Sequence, residues 1–197
     1  MDTPQQQLEQ ACRDLDAQAA RSALAMGADA NQETQDGTPL PVLVVDSHAS
    51  GECLEAKAKM VALLFGAGAG KNPYSKFDGI VSCGIETLIE RALDRLDEPG
   101  WDEDREIELL EAWLEAGNDP NPMVAVDGRV KPLIRSIGFM FDEMKQWTLD
   151  NEEAMLERSS QLIFRIIGVL HIHGCPLTRE NLDEAGFDAG EVDEIIA

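Results

Sequence analysis

Three short stretches of this chain hold the residue types from which active sites are built. His171, His173 and Cys175 alternate, offering two imidazoles and a thiol to a metal. Zinc would need a fourth ligand converging on them, and the three straddle a helix end. An imidazole is favoured there by the helix dipole alone. Gly66-Ala67-Gly68-Ala69-Gly70-Lys71 has the glycine density of a phosphate-binding loop. It follows a helix rather than a strand, Phe65 stands where the first glycine belongs, and Asn72 stands where Ser or Thr is needed. His48 lies near Asp46, Ser47 and Cys53, but neighbours on one helix rarely make a nucleophilic triad. The acidic pairs are too many to single out a catalytic dyad. The chain therefore reads as non-enzymatic, with no catalytic residue, cofactor or metal expected.

Charge is the more informative chemistry. Asp and Glu number 38 against 16 Lys and Arg, a formal net charge of −22. Such a field repels nucleic acid and anionic membrane and attracts basic protein surfaces. A surface that only keeps the protein soluble is the plainer reading. The functional reading is a basic protein partner, the alternative being an acidic nucleic-acid mimic that blocks a DNA- or RNA-binding protein. A mimic needs carboxylates in two rows at phosphate-like separation.

Residues 97–115 are the most acidic run, opposed only by Arg105, and contain Trp101 just after Pro99-Gly100. One reading tucks this ring onto a neighbouring helix; the other makes it an exposed anchor rimmed by carboxylates. Tyr74 and Phe77 fall at a predicted hairpin tip, where a ring has little core to join. The expected protein-binding residues are Tyr74, Phe77, Trp101, Asp102, Glu103 and Asp104. Phe65 and Phe164 read as buried. Phe139, Met140 and Phe141 cannot all face inward.

The elements that must position these residues are helices. A hydrophobic content of 44% excludes a wholly disordered chain. Val, Ile and Tyr do not cluster into alternating runs, so strands have little support. Residues 106–121 set the pattern: Ile107, Leu110, Trp113 and Leu114 share one helical face, Gly117 ends the helix and Pro120 prevents a restart. Comparable helices are expected at 4–12, to Met26, to Asp46, at about 52–67, to Leu96, to Trp147 and from about Asp150 to His173. Two short ones follow at 178–185 and 189–196. Thr38 is the expected N-cap of the helix to Asp46. The first ten residues show no secretory signal, and no apolar run is long enough for a membrane span. Four scattered cysteines without a CxxC pair suit a reduced, cytoplasmic compartment.

The helix ends repeat. Residues 61–72 align with 110–121, and Ala25-Met26-Gly27-Ala28-Asp29-Ala30-Asn31 joins them; His171-Ile172-His173-Gly174 is a weaker copy. Asp36-Gly37, Asp78-Gly79 and Asp127-Gly128 follow the first three at a near-constant offset.

Gly27-Ala28-Asp29-Ala30-Asn31 followed by Asp36-Gly37-Thr38-Pro39-Leu40 resembles the ankyrin repeat family. Later copies keep Thr87-Leu88 and Pro132-Leu133. The resemblance implies an all-α solenoid of about four helix–turn–helix repeats, at 1–35, 36–77, 78–126 and 127–177, with a cap at 178–197, all in one domain spanning 1–197. It also implies a monomer that binds another protein through a concave face and hairpin tips. Pro41, Ile89 and Ile134 replace the family's histidine, which removes the usual bonds between adjacent turns. The repeat glycines Gly27, Gly68, Gly117 and Gly174 are 41, 49 and 57 residues apart, against roughly 33 in the family. The extra length implies extended helices or loops.

Overall fold

The computed structural model describes residues 2–47, 53–77, 80–126, 129–148 and 153–196. These are mostly helical. Successive helices pack in pairs: α1 (Pro4–Asp14) with α2 (Ala17–Ala25), α3 (Leu40–Asp46) with α4 (Leu54–Gly66), and α5 (Gly84–Asp94) with α6 (Glu103–Glu115). The series continues with α7 (Leu133–Thr148) and α8 (Glu153–Ile172), then α9 (Arg179–Ala185) and α10 (Ala189–Ile195). First helices pack on first helices, α1 on α3, α3 on α5, α5 on α7 and α7 on α9. Second helices do likewise, α2 on α4, α4 on α6, α6 on α8 and α8 on α10.

Strands are the main departure from the sequence expectation. β1 (Tyr74–Phe77) pairs antiparallel with β2 (Ile80–Cys83), and β3 (Met123–Val126) with β4 (Arg129–Pro132). A single bridge between Glu33 and Pro39 stands at the corresponding place before α3. Each strand is only four residues long, too short to show alternation in the sequence. The Asp78-Gly79 and Asp127-Gly128 turns lie outside the described residues, as do His48 and the expected helix starts at Glu52 and Asp150.

Local chemistry explains the ends of the helices. Thr3 makes a capping box with Gln6, and Asp16, Asp102, Thr178 and Asp188 accept amide hydrogen bonds at other N-termini. Thr38 does not cap α3. Pro39 takes the N-cap position without a side-chain bond, while Thr38 exchanges bonds with the Thr34 hydroxyl. Gly27, Gly68, Gly117 and Gly174 all adopt positive φ just beyond α2, α4, α6 and α8. In three of the four, the next amide returns to the carbonyl five residues back: Ala28 to Ala23, Ala69 to Leu64 and Cys175 to Leu170.

The buried apolar residues form one cluster that extends from Leu8 to Val192. Trp113 shows how successive pairs lock. Its ring is 1% exposed, meets Phe65 of α4 edge-on at 5.2 Å, and lies so close to the start of α5 that any side chain at Gly84 would overlap it. Ion pairs also cross the joints: Arg91 to Asp46, Arg165 to Glu103 at 3.0 Å and Asp104 at 2.6 Å, Arg135 to Glu184, and Lys145 to Glu191 at 2.6 Å.

Candidate protein-binding surface

The turns that carry the hairpins are tied to each other by asparagines. Asn31 Nδ2 donates to the Gly68 carbonyl at 2.8 Å. One turn further, the Asn72 amide donates to Asn118 Oδ1 at 2.6 Å, and the Asp119 amide donates to Asn72 Oδ1 at 2.6 Å. Asn118 is 5% exposed, and its Nδ2 donates to the Trp113 carbonyl at 2.7 Å. Asn121 Oδ1 accepts from the Ile134 amide at 3.1 Å, fastening the turn to α7. These bonds join adjacent turns where Pro41, Ile89 and Ile134 leave no histidine to do so.

Tyr74 and Met123 are equivalent residues of successive hairpins, each following Asn-Pro. The Tyr74 hydroxyl donates to the Met123 carbonyl at 3.2 Å. Partial burial, then Cys83, Asp119 and Glu86, hold the phenol above its ordinary pKa, so it is a donor at neutral pH. Tyr74 is 40% exposed, Met123 50% and Val130 68%, while Val124 between them is buried. Phe139 on α7 is 42% exposed, and its neighbour Phe141 is buried between Phe164 and Phe187. Met123 and Val130 were not anticipated; the repeated Asn-Pro was the signal that puts Met123 in Tyr74's place. The Phe77 side chain lies outside the described residues.

The structure does not bring the other expected contact residues to this surface. Trp101 and Asp102–Asp104 sit where α5 gives way to α6, at the opposite end of that helix pair from the hairpins. Trp101 is half-buried against the core, with the Arg158 guanidinium 5.0 Å from its ring centroid. Its ring packs under that arginine rather than standing free of neighbours. Asp102 caps α6, and Glu103 and Asp104 both hold Arg165.

Behind the first-helix face lies a charged group in the interior. Lys57, 3% exposed, donates to the Val45 and Ser47 carbonyls at 2.9 and 2.8 Å, closing the C-terminus of α3. Burial, with Arg91 and Arg95 nearby, brings its amine down to about 8. Arg95 pairs with the buried Glu106 at 3.1 Å. Burial raises the Glu106 pKa, and Arg95 and Lys57 oppose the rise. Glu86, also buried, accepts from the Ser136 hydroxyl at 2.7 Å across the α5–α7 joint.

The stretches that could do chemistry have structural partners. His171 Nδ1 shares a hydrogen bond with the Cys175 carbonyl at 2.9 Å. Burial pushes the Cys12 and Cys83 thiols up to about 12 and Cys175 to about 11, so little thiolate forms near neutrality. Among the described residues, no group of three or more His, Cys, Asp or Glu is placed to hold a metal ion. Gly66 to Lys71 leave the C-terminus of α4, the end of a helix that repels phosphate. Among the described residues, no helix is long and apolar enough to cross a membrane. The chain matches no protein-family model, and no curated protein matches it.

Proposed function

We propose that this chain is an ankyrin-like stack of about four helix-pair repeats that binds a basic protein without catalysing a reaction. It would inhibit, sequester or recruit that partner through its hairpins and first-helix face. The asparagine-bonded turns and the like-on-like packing of the helices support the stack. The partner's charge is supported by one observation: 38 acidic residues stand against 16 basic ones, so carboxylates stay in excess after the described cations are paired. Arg91, Arg95, Arg135, Lys145, Arg165 and Arg179 are all in such ion pairs. Asp94, Asp119 and Glu143 remain exposed. The field that reaches a partner is therefore strongly negative.

A nucleic-acid mimic fits less well. Asp104, Glu108, Glu111 and Glu115 are exposed on α6 at spacings of four, three and four residues, which makes one row. Carboxylates here are spent on ion pairs, Glu55 with Lys59 on α4 and Asp104 itself with Arg165 of α8, which breaks the rows a mimic needs.

Affinity capture from the source cell at low ionic strength tests this reading. The expected prey is a basic protein released progressively as salt rises and screens the contact. A neutral or acidic prey held regardless of salt would contradict it. Displacement of the prey by excess duplex DNA would instead favour the mimic.

A further inference from the structure

We infer that Tyr74, Met123, Val130 and Phe139 form a single docking ledge, and that its occupant is a lysine- or arginine-rich protein segment carrying a large apolar side chain. This rests on the reading of the chain as a binder of basic proteins and adds where and by what the partner is anchored.

Exposed apolar side chains are ordinary when scattered. Here three of the large ones sit on two neighbouring hairpins that share the Tyr74–Met123 hydrogen bond, and the fourth follows on α7. Strand register places two of them on one face. Met123 stands opposite Pro132 and residue 125 opposite Val130, so Met123 and Val130 belong to one face of the β3–β4 hairpin. Val124 and Lys131, paired with each other, belong to the other face, where Val124 enters the core. Helix α7 leaves β4 directly at Leu133, and Phe139 lies about 9 Å of helix rise further on.

Charge selects the occupant. Asp119 is exposed and close enough to Tyr74 to help hold its phenol up, and Glu143 is exposed one helical turn from Phe139. Arg135, the nearest cation on α7, is held by Glu184. A second copy of this chain would bring its own charge of −22 to the contact, and anionic membrane or nucleic acid would be repelled. A cationic segment with an apolar anchor satisfies both halves of the surface: the anchor covers Met123, Val130 and Phe139, and the cations face the carboxylates around them.

The test uses three synthetic peptides of one length: an amphipathic leucine–lysine peptide, an oligolysine of equal charge and a leucine–glutamate peptide. Binding to the full chain is measured by calorimetry, alongside the variant Met123→Ser/Val130→Ser. Both substitutions are at exposed positions, and circular dichroism and melting temperature verify the variant's fold. The leucine–lysine peptide is expected to bind about tenfold or more tighter than oligolysine. The variant is expected to lose that advantage while binding oligolysine unchanged. Equal binding of the two cationic peptides would overturn the ledge yet leave a basic partner in place, as would a variant indistinguishable from wild type. No binding of either cationic peptide, or preference for the glutamate peptide, would overturn both.

Discussion

Asn72 and Asn118 hold each other's turns: Asn118 Oδ1 takes the Asn72 amide at 2.6 Å, while Asn72 Oδ1 takes the amide of Asp119, the neighbour of Asn118, also at 2.6 Å. The two residues are 46 positions apart, and each ends a different helix pair. A reciprocal bond of this kind fixes the rise from one pair to the next without a histidine.

Replacing Asn72 by alanine removes one of these bonds and also strains the backbone, since Asn72 has φ of 51°. The expected loss is about 1–2 kcal/mol in denaturant unfolding. Asn72→Gly, which relieves φ, should lose less than Asn72→Ala. Asn118→Ala, which also frees the buried Trp113 carbonyl, should cost about 2–3 kcal/mol. Equal and negligible losses at both sites would show that the turns are not coupled.

Lys57 should make stability depend on pH on the alkaline side. Burial, helped by Arg91 and Arg95, lowers its pKa from 10.5 to about 8. Below about pH 8 the amine is charged in folded and unfolded chains alike, and its burial cost is fully present. Above that the folded chain loses the proton first, and the cost fades until about pH 10.5. Wild type should therefore gain on Lys57→Met across this window, on the order of 3 kcal/mol. Parallel pH profiles for the two proteins would contradict this.

Arg95 is the paired cation that opposes the burial-driven rise of the Glu106 pKa. Arg95→Met should destabilise by about 3–5 kcal/mol, because it leaves a carboxylate buried alone. Adding Glu106→Gln should recover part of that loss, a double-mutant cycle that a simple packing defect at Arg95 would not produce.

Gly138 reverses the usual helix rule. An alanine inside a helix ordinarily stabilises it by about 1 kcal/mol over glycine. A methyl at Gly138 would run into the Ala185 carbonyl at the end of α9. Gly138→Ala should destabilise, and hydrogen exchange should speed up first in α9 and α10. A stabilised variant would mean that α9 does not sit this closely on α7.

Helix boundaries were readable because their signals are local: Gly27, Gly68, Gly117 and Gly174 end helices wherever they occur, and Thr178 and Asp188 cap the two that follow. The hairpins were not, since a four-residue strand such as Tyr74–Phe77 gives too little alternation to detect. Asn31 and Asn72 were visible as repeated residues, but their bonding partners lie a full repeat away. Of the expected contact residues, Tyr74 is on an exposed face because it opens a hairpin. Trp101 is not, because its surroundings depend on Arg158, on a helix far along the chain.

One distance tests the stack directly. Spin labels on Gln10→Cys in α1 and Glu194→Cys in α10, both exposed positions, with the partly exposed Cys53 replaced by serine, span its two ends. Five helix pairs in a row leave four intervals of 8–10 Å, so a separation of roughly 30–40 Å is expected. A separation below about 20 Å would mean that the first and last helices fold back on each other, and no such stack exists.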